Sequence, residues 1–198
     1  MADIEAKTVM ELRRITGAGM MDCKKALLEC EGDIEKAIEH LRKTGIMKAA
    51  KKASREVKDG RIHAYIHPGS KLGVLVEIDC ETDFVARTDD FIEFCNDVAM
   101  HIAAEDPLAV NVEDLDKNLV EKEKEIYKEQ ARQTGKPEKI LDKIVEGKIQ
   151  KFYDETVLMR QSFIKDPDKT IEDILKEIIA KLGENIQIGP FVRLKIGE

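Results

Sequence analysis

Tryptophan is missing from this chain of 198 residues, and aromatic side chains make up only 5% of it. That scarcity argues against a surface that stacks successive bases of single-stranded nucleic acid. No stretch approaches the ~20 consecutive apolar residues of a membrane span, so no membrane association is expected. The opening MADIEAKTVMELRRITGAGM lacks the apolar centre of a signal peptide, so a cytoplasmic location is expected. Cysteine is sparse: Cys23, Cys30, Cys80 and Cys95 lie 7, 50 and 15 positions apart with no C-x-x-C pair. These spacings fit neither a zinc ribbon nor a disulfide scaffold, and reduced, mostly buried thiols are expected.

Sites for small ligands are equally hard to find. Gly17-Ala18-Gly19 opens like a dinucleotide fingerprint, but no strand precedes it and Asp22 stands where the third glycine belongs. Gly135-Lys136 and Gly147-Lys148 lack both the upstream glycine and the following hydroxyl residue of a phosphate loop. No nucleotide site and no cofactor are expected. His40 and His101 stand apart, and no Ser or Cys occupies a nucleophile motif, so the chain does not read as an enzyme. His63 and His67, four apart on one strand face with Asp79 nearby, could hold a metal, but solvated surface histidines are the simpler reading.

What the chain has in quantity is charge, at 37%, beside 42% apolar residues, enough for one ordinary core or two small ones. Residues 1–60 carry 13 basic and 11 acidic side chains, whereas residues 61–198 carry 20 and 29. The acidity therefore belongs to the later part.

The pattern predicts an α+β fold. Three short helices come first. Thr8-Val9-Met10-Glu11 is a capping-box pattern, and the first helix should end at Gly17. Cys23, Ala26, Leu27 and Cys30 form the stripe of a second helix from about Met21 to Cys30, with Gly32 as its stop. Asp33 caps a third, in which Ile34, Ala37, Ile38 and Leu41 recur at helical spacing until Gly45. Residues 1–45 thus read as a three-helix domain. Residues 46–59 read as a basic linker of helical character, with Lys48, Lys51, Lys52, Arg55 and Lys58 on a solvated face rather than on RNA.

Residues 60–198 form the expected α+β core. After Gly60 the period falls to 2: Ile62, Ala64 and Ile66, a turn at Pro68-Gly69-Ser70, then Leu72, Val74, Val76 and Ile78, giving a hairpin over 61–80. A helix follows from about Asp90 to Ala104 with Phe91, Cys95, Val98 and Ile102 on one face. Residues 112–165 suggest a helical hairpin broken at Gly135-Lys136-Pro137. Thr170 should cap an amphipathic helix ending at Gly183, and a strand over 186–197 closes the chain. That strand must pair with the hairpin, giving about three antiparallel strands covered by helices. So small a sheet leaves open edges or an open face, which favours self-association.

Two places invite function. Thr82-Asp83-Phe84 sets a ring after a carboxylate at a strand end, where loops present functional groups; Phe84 capping the sheet as a core residue is an equal alternative. Met20 and Met21 at a helix entrance suit either bundle packing or a partner surface.

Leu12-Arg13 with Thr16-Gly17-Ala18-Gly19-Met20-Met21-Asp22-Cys23-Lys24-Lys25-Ala26-Leu27, and Thr82-Asp83-Phe84-Val85-Ala86-Arg87, together resemble the bacterial elongation factor Ts family. Asp33 to Ile38, Gly45, Ala49 to Ala53 and Phe191-Val192-Arg193 extend the likeness, while residues 107–160 are generic. The resemblance implies a guanine-nucleotide exchange factor in translation elongation that binds elongation factor Tu, with a ubiquitin-associated-like N-terminal domain. It implies that Thr82, Asp83, Phe84 and Val85 displace magnesium in the partner GTPase, and that Met20, Met21 and Lys24 dock the N-terminal domain on it. Longer members carry a second sheet subdomain; this chain resembles the short form, which implies a homodimer and a 2:2 complex. A binding module without exchange activity is the competing reading.

Overall fold

The computed structural model describes residues 4–133 and 138–197. Its helices are α1 (Ala6–Thr16), α2 (Met20–Glu29), α3 (Ile34–Lys52), α4 (Asp83–Ala86), α5 (Asp89–Glu105), α6 (Lys117–Arg132), α7 (Glu138–Thr156) and α8 (Ile171–Leu182). Its strands are β1 (Asp59–Ile66), β2 (Leu72–Cys80), β3 (Ser162–Phe163), β4 (Asp166–Thr170) and β5 (Ile186–Lys195). The chain divides into two compact units, Met1–Ile62 with Ile78–Cys95 and Asp173–Gln187, and His63–Glu77 with Asn96–Glu172 and Ile188–Glu198.

In the first unit, α1, α2 and α3 enclose a core of Val9, Leu12, Cys23, Ala26, Leu27 and Ala37. These are the stripes expected from the helical period. The capping box is not formed: α1 begins at Ala6, and the Thr8 and Val9 amides both donate to the Glu5 carbonyl. Ala6 and Lys7 are good helix formers, which carries the helix upstream of Thr8. Its end is as expected, with Gly17 at φ 66° donating its N–H to Arg13 O at 2.8 Å. Asp33 caps α3, its carboxylate accepting the Lys36 N–H at 3.0 Å.

Gly45 does not end α3, which continues to Lys52. The glycine instead permits a close approach, since a Cβ there would lie 3.2 Å from that of Ala180 on α8. The Lys- and Ala-rich stretch beyond it favours continued helix, so the expected linker is helical as far as Lys52.

β1, β2 and β5 form an antiparallel sheet in the order β1-β2-β5. On β2 the even positions Val74, Val76, Ile78 and Cys80 are buried, as the alternation predicts. In the second unit, Gly73 on β2 sits under Ile66, whose Cδ1 would be 2.9 Å from an added Cβ. Gly73, Leu75 and Ile66 thus share the opposite face. β5 changes phase at Pro190: Ile186 and Ile188 are buried, but beyond the proline Phe191 and Arg193 turn inward and Val192 and Leu194 outward. Arg193 fixes that sense, its Nε donating to Ala103 O at 3.2 Å and its Nη1 pairing with Asp106 at 3.2 Å.

The second unit also contains α6 and α7, packed through Ala131, Val145 and Ile149. The expected break at Gly135-Lys136-Pro137 lies outside the described residues. The sequence pattern suggests mostly helix over residues 112–165, but Ser162–Phe163 pairs antiparallel with β4, through Ser162 opposite Thr170 and Phe163 opposite Asp166. Two residues are too few to display a period.

His101 is fully buried in this unit. Its Nε2 donates to Gln161 Oε1 at 3.0 Å, an orientation fixed because the Gln161 amide nitrogen donates to Glu155 O at 2.8 Å. Nδ1 has no partner among the described residues. Burial lowers the pKa below the ordinary 6.5, so the folded chain keeps this imidazole neutral. The unfolded chain binds a proton once the pH falls below about 6.5 and the folded chain does not, so stability declines from there down to the folded pKa. Above that window His101 contributes no pH dependence. Urea midpoints at about pH 7.5 and 5.5 check this: the loss between them should shrink in His101→Phe, and an equal loss in both proteins would refute it.

Candidate functional site

The loop that leaves β2 lies wholly within the first unit. Thr82 has extended backbone, φ −138° and ψ 154°, and its Oγ1 accepts the Val85 N–H at 3.5 Å, opening the single turn of α4. The sequence pattern alone does not reveal this turn, because four residues show no helical period. Val85 and Ala86 are buried and secure the turn from below. Thr88 Oγ1 accepts the Phe91 N–H at 3.3 Å and donates to Val85 O at 2.9 Å, tying the turn to the start of α5.

Phe84 is left on top, 81% exposed. The alternative in which it caps the sheet as a core residue is therefore excluded for the single chain. Asp83 pairs with Arg87 one turn on, at 2.8 Å. Such a surface pair is weak and readily exchanged for other partners.

The loop's anchors come from the segment after α8, which sequence reasoning missed. Glu184 takes both donors of Thr82, the backbone N–H at 3.0 Å and the hydroxyl at 2.7 Å. Glu81 in turn accepts the Asn185 N–H at 2.6 Å and is reached by Arg55 Nη1 at 3.3 Å. The Asn185 bond, with Arg55 beside it, holds the Glu81 carboxyl below its usual range. Asn185 is itself buried, donating through Nδ2 to Arg55 O at 2.8 Å. Adjacent residues thus cross-pair, 81 with 185 and 82 with 184. Gly183 before them was the only signal, and it announced a helix stop rather than a clamp.

Cys80 begins this loop. Its thiol donates to Thr82 O at 3.1 Å, and burial pushes its pKa up to about 11. Cys95 is pushed to about 12 by the same cause. Both are protonated and poor nucleophiles near neutral pH.

On the three-helix bundle, Met20 and Met21 are 40% and 75% exposed and Lys24 projects from the same helix one turn on. The methionines do not pack into the bundle, whose core is made by Cys23, Ala26 and Leu27. Flexible thioethers beside a lysine make a surface suited to a protein partner. Among the described residues no three His, Cys, Asp or Glu side chains gather as a metal site. His67 instead lies with Nδ1 3.0 Å from the Tyr65 hydroxyl. No helix among the described residues is long and apolar enough to cross a membrane.

Comparison with known proteins places these features in context. The profile of the family described as elongation factor TS matches residues 21–198. The elongation factor Ts of Thermosipho melanesiensis is 58% identical over 195 residues, 98% of this chain and 100% of that protein. That of Fervidobacterium nodosum is 56% identical over 196 residues, 99% and 100% of the two chains. That of Desulfosudis oleivorans is 52% identical across all of both chains, 198 residues.

Proposed function

The chain belongs to the elongation factor Ts family and is a translation elongation factor, not a catalytic enzyme; we propose that it exchanges guanine nucleotide on elongation factor Tu. It binds the GDP-loaded GTPase, inserts the Asp83–Phe84 turn beside the magnesium site, and promotes release of magnesium and GDP so that GTP can enter. The observation that carries this reading is Phe84, a large ring 81% exposed at the apex of a loop whose neighbours are buried or clamped. An exposed ring on a fixed support has apolar area to bury only when a partner covers it. Asp83 is placed to trade Arg87 for polar groups of the partner's metal shell, while Thr82 and Val85 hold the turn.

Met20, Met21 and Lys24 give a second contact from the N-terminal bundle, which we take to be the family's ubiquitin-associated-like domain, residues 1–45. The exposed sheet face supports a homodimer, hence a 2:2 assembly acting in the cytoplasm. No covalent chemistry is required. Factor and nucleotide bind the same GTPase, and whatever affinity one removes from the other is removed reciprocally. A thousandfold faster release needs roughly 4 kcal/mol of barrier reduction at ~1.4 kcal/mol per decade.

The test is release of a fluorescent GDP from elongation factor Tu with catalytic amounts of this protein. Strong acceleration, of the order of a thousandfold, is expected. Binding to the GTPase with no acceleration would overturn exchange and leave a binding module.

A further inference from the structure

Resting on the exchange reading, we propose that Glu184 is a positioning residue of that reaction: its carboxylate fixes the backbone and hydroxyl of Thr82 so that the following turn presents Phe84 in one direction. Phe84 is 81% exposed, so packing around the ring does little to set its aim. Its direction in the free chain therefore comes from its backbone, which begins at Thr82.

Both Thr82 donors end on the two oxygens of one carboxylate 102 positions along the chain, at 3.0 and 2.7 Å. Two bonds made to the two oxygens of one carboxylate add geometric specificity as well as energy. The geometry also settles the role of the hydroxyl. A threonine has one hydroxyl proton; Glu184 takes it, so the Oγ1 lone pairs are left to receive the Val85 N–H that starts the turn. Without the carboxylate the hydroxyl can still accept the Val85 N–H, but nothing in the clamp then holds Oγ1 and the Thr82 backbone in place for it.

The clamp stands on a firm base. Glu184 follows Gly183, which ends α8 at φ 84°, and precedes Asn185, which is buried and bonded to Arg55 O and to Glu81. Loss of the Glu184 carboxylate thus loosens the turn while the Glu81–Asn185 bond keeps the neighbouring segment in place.

Full-length Glu184→Ala and Glu184→Gln are tested for stimulated GDP release over a range of GTPase concentrations. Because small misplacement of a reacting group costs up to about a hundredfold, Glu184→Ala should lower the maximal rate about tenfold or more. The GTPase concentration giving half that rate should change by less than about twofold, since ground-state contacts are untouched. Glu184→Gln should recover part of the rate, its carbonyl accepting one Thr82 donor. Thr82 amide hydrogen exchange should accelerate in Glu184→Ala while core amides keep their protection.

A wild-type maximal rate in Glu184→Ala, or a weakened half-saturation alone, would overturn the proposal. A wild-type protein that fails to accelerate release would instead overturn the exchange reading on which it rests. Should Glu184→Ala fail to fold, Thr82→Val and Glu184→Gln decide, singly and together: overlapping losses support the clamp, and simple addition refutes it.

Discussion

Phe84→Ala lowers the maximal rate of stimulated GDP release by about ten- to hundredfold and leaves the melting temperature where it was. The two halves of this expectation have one cause. The ring is 81% exposed in the free chain, so its removal takes nothing from the fold. Covered by the partner, the same ring gains ~1.5–3 kcal/mol of apolar burial. If that gain is realised as nucleotide leaves, at ~1.4 kcal/mol per decade it is worth roughly one to two decades of rate. Phe84→Leu, which keeps much of the apolar area without the ring, should fall between the two. The measurement is release of fluorescent GDP from elongation factor Tu at saturating factor, beside thermal melts of each variant. Unchanged release by Phe84→Ala would remove the ring from the mechanism and leave the polar work to Asp83 and the Met20–Met21–Lys24 surface.

The parts of the molecule legible in the sequence are those whose physics is local. Cys23, Ala26 and Leu27 recur with the helical period and are all buried, as are Phe91, Cys95, Val98 and Ile102 on α5. The alternation Val74, Val76, Ile78 marks a strand with one covered face for the same reason. Where a residue's meaning depends on a distant neighbour, the local rule misleads. Gly45 has the look of a stop because glycine costs a helix about 1 kcal/mol relative to alanine. Its actual use, room for Ala180, is decided 135 positions later and is invisible without the fold.

The candidate site divides the same way. Thr82 and Asp83 stand out at a strand end, yet whether the next ring turns in or out depends on what is packed beneath it, and Val85 and Ala86 occupy that space. Glu184 was hidden for a different reason. In a chain with 40 acidic residues, one more carboxylate after a helix carries no signal until its partner 102 positions away is known.

Leu194→Glu converts the proposed dimer into a monomer of 22.4 kDa. The outward face in the second unit carries Ile66, Leu75, Val192, Leu194 and Ile196, each at least half exposed, with Leu194 at 71%. Four of these large apolar side chains stand on one short sheet and Ile196 follows its last strand, which is more than scattered surface residues, and such a patch marks an interface. Among the described residues both β1 and β5 are edge strands, so neither has a second strand of this chain beside it. A second copy of the same face is a natural complement: two twisted sheets pack about 10 Å apart with their side chains interleaved, and a two-fold axis satisfies both chains at once. The same symmetry makes a charge disruptive, because each substitution enters the interface twice. An unpaired buried charge costs about 3–5 kcal/mol, so the dissociation constant should rise at least about a hundredfold at 1.4 kcal/mol per decade. Sedimentation equilibrium across a concentration series should give twice the chain mass for the wild type and the chain mass for Leu194→Glu. A wild type that stays monomeric at tens of micromolar, or a variant as dimeric as the wild type, would mean that this face serves something other than a second copy of the chain.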